Sequence, residues 1–193
     1  MKLRAEQVSR QFFRTTKQSN VFLAVKETSL TLEPGQLVAV TGRSGSGKST
    51  LLNMMAGLLK PTAGRVWLDD TDLYALEDKE RSRLRNQSFG IIPQGQTGLS
   101  GLTVLENVKL PFLLYGEEAP EERALALLEE VGIGNLANAY PNELSGGEMR
   151  RLAIARALIR EPGIILADEP TGDLDDENTP VMAEMRAFVS CMA

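Results

Sequence analysis

The sequence predicts an α/β fold, and three observations support that prediction. A short apolar run at 37–40 leads into a glycine-rich segment at 42–47 and then into a helical pattern at 49–59. A second apolar run, at 163–167, has the length and composition of another buried strand. The stretch 95–149 carries helix signals and little strand pattern. At 193 residues the chain suits one domain with a small inserted subdomain.

Turn residues and alternating apolar residues predict that the N-terminal third of the chain consists mainly of strands. We expect these strands to form an antiparallel sheet beside the core. Pro34 and Gly35 mark a turn, after which the run 37–40 is typical of a strand buried in a parallel sheet. The segment 76–85 has the charge pattern of a surface helix. The further predicted strands are 3–8, 21–26, 29–32, 64–68 and 89–92, and the helix at 49–59 has Leu51, Leu52, Met55 and Leu58 on one face.

Three helices are predicted in the stretch 95–149 and just after it. Thr103 can cap a helix that Pro111 ends. Pro120 occupies the first position of the next helix, and Gly132 follows its end as the C′ residue. Ser145 begins a third helix that runs to about residue 158. The apolar face of the first comprises Val104, Val108 and Leu110, and that of the second Leu125, Leu128 and Val131.

Composition limits the function classes that remain open. With 42% hydrophobic and 24% charged residues, a packed core is expected rather than disorder. The formal charge of −5 argues against nucleic acid as the main partner. The single Cys191 cannot form an internal disulfide, which fits a reducing cytosol. The sequence has no secretory h-region and no apolar stretch long enough to cross a bilayer, so work at a membrane would require docking onto another protein.

The segment from Gly42 to Ser49 matches the phosphate-binding loop (P-loop) pattern G-x-x-x-x-G-K-[ST] in its required setting between a strand and a helix. Glycines let successive backbone N–H groups point at phosphate oxygens, and the following helix adds its positive dipole end. Lys48 supplies charge to the β- and γ-phosphates of ATP, and the Ser49 hydroxyl can bind Mg²⁺. The predicted set is Gly42, Arg43, Ser44, Gly45, Ser46, Gly47, Lys48, Ser49 and Thr50.

Two acidic residues follow the apolar strand 163–167. They supply the acidic Mg²⁺ ligand and the general base that a P-loop does not itself contain. Asp168 would hold Mg²⁺ directly or through water, and Glu169 would act as the general base on the attacking water. Because neighbouring side chains of a strand point in different directions, the two acids can take different roles. The P-loop and the acid pair together predict a P-loop NTPase core of the RecA-like type.

A third motif is more specific, because many unrelated NTPases share the first two. Leu144, Ser145, Gly146, Gly147 and Glu148, with the helix through Leu158, resemble the signature motif of ATP-binding cassette (ABC) ATPases, in which Glu148 replaces the usual Gln. Ser145 caps the helix, the glycines allow close approach, and the free N–H groups form an anion site. An ordinary capped helix would account for Ser145 but not for the whole run.

The resemblance covers nearly the whole chain and assigns further residues. Gln94 matches the glutamine that contacts Mg²⁺ and senses a transmembrane partner, and Asp175 matches the aspartate of the D-loop. Phe12 lies where the family often has an adenine-stacking aromatic; Phe13 and plain core packing remain alternatives. The resemblance implies a core at 1–94 and 150–193 and a helical subdomain at 95–149. The catalytic set it implies is Glu169, Lys48 and Gln94.

The implied function is an ATP-hydrolysing subunit that powers an ABC transporter from the inner face of the cell membrane, docked on a transmembrane permease. The segments 103–111 and 90–94 resemble the lipoprotein-release and macrolide-export branch. The implied assembly is a head-to-tail homodimer in which Ser145 and Gly147 of one subunit face the ATP of the other. A non-transport complex of the cell-division or signalling type is the alternative. A DNA-repair ATPase or a small-molecule kinase fits the sequence less well.

One landmark of the family is missing. The family has a switch histidine about thirty residues beyond the position of Glu169, at the end of a further strand, and the chain contains no histidine. We therefore expect an early C-terminus, through truncation or because the chain is a fragment. Such a chain would bind ATP and hydrolyse it slowly, because one γ-phosphate sensor is absent.

Overall fold

The computed structural model describes residues 1–13, 21–95 and 97–168. Strands and helices alternate over most of this part of the chain, in agreement with the predicted α/β class. The strands are β1 Leu3–Phe13, β2 Val21–Leu32, β3 Ala63–Leu68, β4 Thr71–Asp72, β5 Phe89–Ile92 and β6 Ile164–Ala167. The α-helices are α1 Lys48–Met55, α2 Asp78–Ser88, α3 Val104–Leu113, α4 Glu121–Glu130 and α5 Gly146–Leu158, with single 3₁₀ turns at Gly134–Leu136 and Pro141–Glu143.

An antiparallel sheet of order β2-β1-β3-β4 is formed by the N-terminal strands and the two that follow α1, which confirms the predicted antiparallel pairing. Its strands are longer than predicted. β1 continues from Val8 to Phe13, and β2 is one strand rather than two. Because one face of this sheet is exposed, polar residues continue the backbone ladder, and register shifts and the positive φ of Gln7 absorb the irregularity.

β5 and β6 form a parallel pair, with Phe89 opposite Ile164 and Ile92 opposite Ala167. The backbone N–H of Asp168 donates to the carbonyl of Ile92 at 2.9 Å, so the ladder extends one residue past β6. Because parallel strands end at the same edge, the segments that follow β5 and β6 leave the sheet side by side. This places Asp168 close to the turn that carries Gln94.

The predicted strand at 37–40 is wrong, since the segment has no regular secondary structure. Its side chains alternate between half-buried Val38 and Val40 and exposed Leu37 and Ala39, instead of being buried on both faces. The two valines line a small apolar cavity together with Leu166 of β6 and residues of α1. Val40 packs against the apolar cluster that contains Leu166, but the backbone of 37–40 does not join the β5–β6 ladder.

α1 is shorter than predicted. It ends at Met55, after which the N–H groups of Leu58 and Leu59 both donate to the carbonyl of Asn53, at 2.9 and 3.0 Å. Leu58 is therefore exposed rather than on the buried face. The hydroxyl of Tyr74 lies 2.7 Å from the carbonyl of Met54 and 2.6 Å from that of Leu59, and burial raises its pKa to about 12, so it remains a donor. α2 spans Asp78–Ser88 rather than 76–85.

α3 contains Pro111 instead of ending before it. The proline lies in the last turn, and its carbonyl accepts hydrogen bonds from Asn86 and Arg160, so the neighbouring elements hold this part of the helix. Thr103 forms the predicted cap, with Glu106 completing a capping box.

α4 buries a face that is rotated from the predicted one. Leu128 and Val131 of the predicted face are buried as expected, together with Ala124 and Leu127, whereas Leu125 is exposed. Pro120 is the N-cap residue rather than the first helical one, because its backbone is extended. Gly132 is the C′ residue as predicted, with a φ of +74°.

The core consists of two apolar clusters that meet at the parallel strands. One joins α3, α4 and α5 to Ile92 and Ala167, and the other joins the antiparallel sheet and α1 to Ile164 and Leu166. Since alternate residues of β6 enter different clusters, this strand is packed on both faces. The subdomain limits at 94/95 and 149/150 stay a prediction, and α5 runs across the second of them.

Asn107 of α3 is fully buried and holds the loop that precedes its own helix. Its amide oxygen accepts from the N–H of Leu99 at 2.8 Å, and its amide nitrogen lies 2.9–3.1 Å from the carbonyls of Leu99, Leu102 and Thr103. The loop at 99–103 is thus tied to α3 by this side chain.

Asn107→Ala should lower the free energy of unfolding by about 3 kcal/mol, because it removes a fully buried side chain with four hydrogen-bond contacts and takes these partners from the N–H of Leu99 and the carbonyl of Leu102. Urea unfolding followed by circular dichroism measures this. Asn86→Ala is the matched control: its amide donates to one carbonyl, which Arg160 also contacts, and about 1 kcal/mol is expected. Equal losses in the two variants would contradict the assignment.

Candidate nucleotide-binding site

The P-loop folds into a cradle that ends at the first residue of α1. Its glycines take conformations that other residues rarely adopt, with a φ of +75° at Gly45 and +95° at Gly47, the N-cap of the helix. The N–H of Ser46 donates to the carbonyl of Arg43 at 3.1 Å, which closes a turn within the loop. The first turn of α1 contains no acidic residue, so nothing there opposes an anion.

Gly47 also lies directly against β2. A Cβ atom at this position would be 2.2 Å from the carbonyl oxygen of Ala24 and 3.0 Å from a methyl group of Val25. At Gly42 a Cβ atom would be 2.8 Å from the hydroxyl of Ser46. A side chain at Gly47 would therefore displace the loop from the antiparallel sheet, whereas one at Gly42 would meet only the hydroxyl of Ser46.

The ammonium of Lys48 is folded back over the loop. It donates to the carbonyl of Gly42 at 2.7 Å and to that of Arg43 at 3.3 Å. A compact positive charge therefore lies at the mouth of a cradle that also presents the N-terminal end of α1. The donor set and the space left by the glycines fit the phosphate groups of a nucleotide.

The residues predicted to bind Mg²⁺ offer a hydroxyl, an amide oxygen and a carboxylate. Ser49 is half-buried in the first turn of α1, and Gln94 and Asp168 follow the paired ends of β5 and β6. In the described part of the chain, no group of three or more His, Cys, Asp or Glu side chains could hold a metal ion. The donor set of one carboxylate, one hydroxyl and one amide oxygen suits Mg²⁺, which is bound through one or two carboxylates together with phosphate oxygens and water.

The signature motif begins α5 with a capping box. The Ser145 hydroxyl accepts from the N–H of Glu148 at 3.4 Å, and the Glu148 carboxylate accepts from the N–H and the hydroxyl of Ser145, both at 2.7 Å. These bonds lower the pKa of the Glu148 carboxyl. The hydrogen bond from the backbone N–H of Ser145 has the larger effect, and the one from the Ser145 hydroxyl adds to it. The predicted cap is confirmed, and Glu148 completes a capping box that Gln at this position could also form. Ser145 and Gly146 are exposed, and Gly147 is half-buried.

Two arginines of the signature helix α5 contact the backbone on either side of Gln94, a role that was not predicted for them from the sequence. Arg150 contacts the backbone carbonyls of Pro93 and Asp168, and Arg156 contacts Thr97 on the far side of Gln94. Burial lowers the pKa of Arg156. Their position in the sequence could have indicated this role. An arginine in a helix that buries most of its surface is expected to be paired with polar groups of other elements.

The candidate adenine contact lies at the end of β1. Phe12 is half-buried opposite Phe22 of β2, and the guanidinium of Arg10 lies 4.6 Å from the centre of its ring. Phe13 is 81% exposed. Stacking of adenine on Phe12 stays a prediction. Glu169 and Asp175 lie outside the described residues.

Three comparisons place the chain among known proteins. Residues 25–172 match the family described as ABC transporter. The chain belongs to the ABC transporter family. It is 51% identical over 163 residues to the lipoprotein-releasing system ATP-binding protein LolD of Pseudomonas fluorescens, covering 83% of this chain and 72% of that protein. It is 45% identical to the ABC transporter ATP-binding protein YtrE of Bacillus subtilis, covering 83% and 71%.

Solved structures agree with these relatives. The dimeric post-hydrolysis state of the ATP-binding cassette MJ0796 bound to ADP and Pi has a TM-score of 0.83 and 37% identity, covering 90% of this chain and 76% of that one. A second dimeric MJ0796 structure, described as a bacterial ABC transporter cassette, has a TM-score of 0.83 and 36% identity, covering 96% and 79%. This chain is therefore an ABC ATPase. Among its described residues, no helix is long and apolar enough to cross a membrane.

Gly47→Ala should abolish ATP binding and destabilise the chain, because the methyl group would meet the Ala24 carbonyl in a backbone that alanine already disfavours. Gly35→Ala is the control, since Gly35 has a φ of +73° but no atom within 4 Å of an added Cβ. It should cost only about 1 kcal/mol and leave binding unchanged. Fluorescent ATP titration and urea unfolding give the two readouts. Unchanged ATP affinity in Gly47→Ala would refute the cradle.

Proposed function

We propose that this chain is the ATP-hydrolysing subunit of a lipoprotein-release type ABC transporter. The observation that carries the proposal is the 51% identity to LolD over the part of the chain that holds both the P-loop and the signature helix. The resemblance of the segments 103–111 and 90–94 to this branch supports the same choice. Further relatives at 42–52% identity carry the same LolD name.

The residues of the site suggest separate roles in hydrolysis. Lys48 and the loop backbone bind and orient the phosphates, while Ser49, Gln94 and Asp168 would hold Mg²⁺. When bound, Mg²⁺ supplies charge neutralisation between the phosphates. Glu169 would orient the attacking water and accept its proton. The P-loop and the β5–β6 edge thus approach the nucleotide from two elements of the core.

We propose a head-to-tail dimer in which Ser145 and Gly147 complete the partner's site, with Asp175 at the interface. The two MJ0796 cassettes that this chain resembles are dimeric. Ser145 and Gly146 are exposed here, with the first N–H groups of α5 at the surface. A helix end that presents such groups is suited to a phosphate brought by a second subunit.

We propose that a permease docks on a groove between α2 and α3. Its cavity of about 280 Å³ is lined by apolar residues, including Leu110, Pro111 and Leu114, and by Arg85, Arg156 and Arg160. Leu113 and Leu114 are 47% and 68% exposed. Because Arg156 also contacts Thr97, the groove adjoins the turn of Gln94. Such docking would place the chain on the cytoplasmic face of the membrane.

The dimer predicts complementation between two different defects. Lys48→Ala removes the charge from a P-loop and should weaken ATP binding at least about tenfold, since a charge-assisted hydrogen bond contributes about 1.5–3 kcal/mol. Gly147→Glu places a carboxylate where a phosphate would bind, and an acid near the start of α5 does not destabilise the helix. In a mixed dimer one composite site keeps a normal lysine and a normal signature.

Energy transfer between dyes on the single cysteine, Cys191, measures this association. ATP should induce transfer in the Lys48→Ala and Gly147→Glu mixture, and neither variant should show it alone. The unmodified chain is the positive control. If that control associates with ATP while the mixture does not, the head-to-tail arrangement is wrong.

Leu114→Glu should prevent copurification with the permease, because an unpaired carboxylate in the groove would lose its solvation on docking. ATP binding should not change. Leu125→Glu is the matched control, since Leu125 is 39% exposed on α4, away from the groove. Coexpression with a lipoprotein-release type permease, followed by a lipoprotein-release assay in vesicles, tests docking and substrate class together. Retained copurification of Leu114→Glu would exclude the groove.

A further inference from the structure

Arg150 joins the ends of the two strands that carry the metal side of the site. One terminal nitrogen of its guanidinium donates to the carbonyl of Pro93 at 2.6 Å, and the other donates to the carbonyl of Asp168 at 3.1 Å. The residue is 8% exposed. A planar, permanently charged group with two spaced donors is suited to bridging two carbonyls at a fixed separation.

The two carbonyls are next to functional side chains. Pro93 immediately precedes Gln94, and Asp168 is the candidate metal acid itself. The backbone of Asp168 is already tied to Ile92 of β5. Arg150 therefore adds a second link across the same edge, outside the strand ladder, at the point where both side chains leave the sheet.

The other side of the Gln94 turn is held from the same helix. Arg156 donates to the carbonyl of Thr97 at 2.7 Å and to its hydroxyl at 2.6 Å. α5 thus contacts the chain both before and after Gln94. Ser145, its N-cap, is five residues from Arg150, which corresponds to about 7.5 Å along the helix axis.

We propose that Arg150 is a positioning residue that sets Gln94 and Asp168 for Mg²⁺ and links that edge of the site to the signature end of α5. This inference rests on the proposed function, in which Gln94 and Asp168 bind Mg²⁺ with ATP. α5 is a continuous helix with a capping box, so a displacement of its N-terminal end is carried to Arg150. In the proposed dimer each subunit contacts two nucleotides, one through its P-loop and the other through Ser145. Arg150 lies between these two contacts and connects them.

The test compares ATP affinity with and without Mg²⁺ in the whole chain, by equilibrium titration with a fluorescent ATP analogue. Arg150→Met keeps the length and apolar stem of the side chain but removes both donors. The Mg²⁺-dependent gain in affinity should fall about 10-fold to 100-fold, as for other residues that orient metal ligands. Affinity without Mg²⁺ should be unchanged, because the P-loop is untouched.

Arg151→Met is the matched control. Arg151 is the next residue of α5, and its guanidinium contacts the carbonyl of Val131 at 3.5 Å, within the helical part of the structure. This variant should keep the full response to Mg²⁺. If Arg150 had only a structural role, Arg150→Met would lower the unfolding midpoint, or would lower ATP affinity equally with and without Mg²⁺. It would not reduce only the gain in affinity that Mg²⁺ provides.

Arg150→Lys covers the case in which Arg150→Met does not fold. It keeps the charge but places one nitrogen where the arginine has two, so part of the Mg²⁺ response should be lost. A full response in a folded variant, or unfolding of both variants, would overturn the inference. Absence of ATP binding by the unmodified chain would instead reject the proposed function.

Discussion

The parallel hydrogen-bonded register of β5 and β6 is the constraint on which the site depends. It places the carboxyl ends of two distant segments at one edge and extends to the bond between Asp168 and Ile92. A one-residue slip would turn each side chain to the opposite face and exchange the residues of the two apolar clusters. Because β6 is packed on both faces, such a slip is opposed by burial on each side. The positions of the polar residues that follow β5 and β6 are thus fixed by apolar packing, although the packed residues have no chemical role in the site.

The P-loop depends on a different contact, between Gly47 and the antiparallel sheet. The Ala24 carbonyl lies where a side chain of residue 47 would be, so β2 supports the loop from beneath. The segment 36–40, which leads into the loop, gives it no ladder support. The cradle is therefore held by its own turn, by α1 and by β2. This explains why the N-terminal sheet matters to phosphate binding although its polar face is exposed.

The sequence was sufficient for features in which local chemistry decides the structure. The caps at Thr103 and Ser145 and the C′ glycine at Gly132 follow from side-chain and backbone preferences within a few residues. It failed where a distant neighbour decides. Pro111 lies within α3, where Asn86 and Arg160 from other elements hold its carbonyl, and 37–40 lies outside the described strand ladders. The arginine links of α5 were missed for the same reason: Arg150 and Pro93 are 57 residues apart.

The bonds of Lys48 indicate how the site can respond to a nucleotide. Its ammonium holds two carbonyls of its own loop, and those bonds stabilise the loop. A phosphate that takes the ammonium must replace them, so only the difference between the two sets of contacts contributes to affinity. The lysine can thus hold the cradle and neutralise the charge of a phosphate, and the first role lowers the affinity that the second contributes.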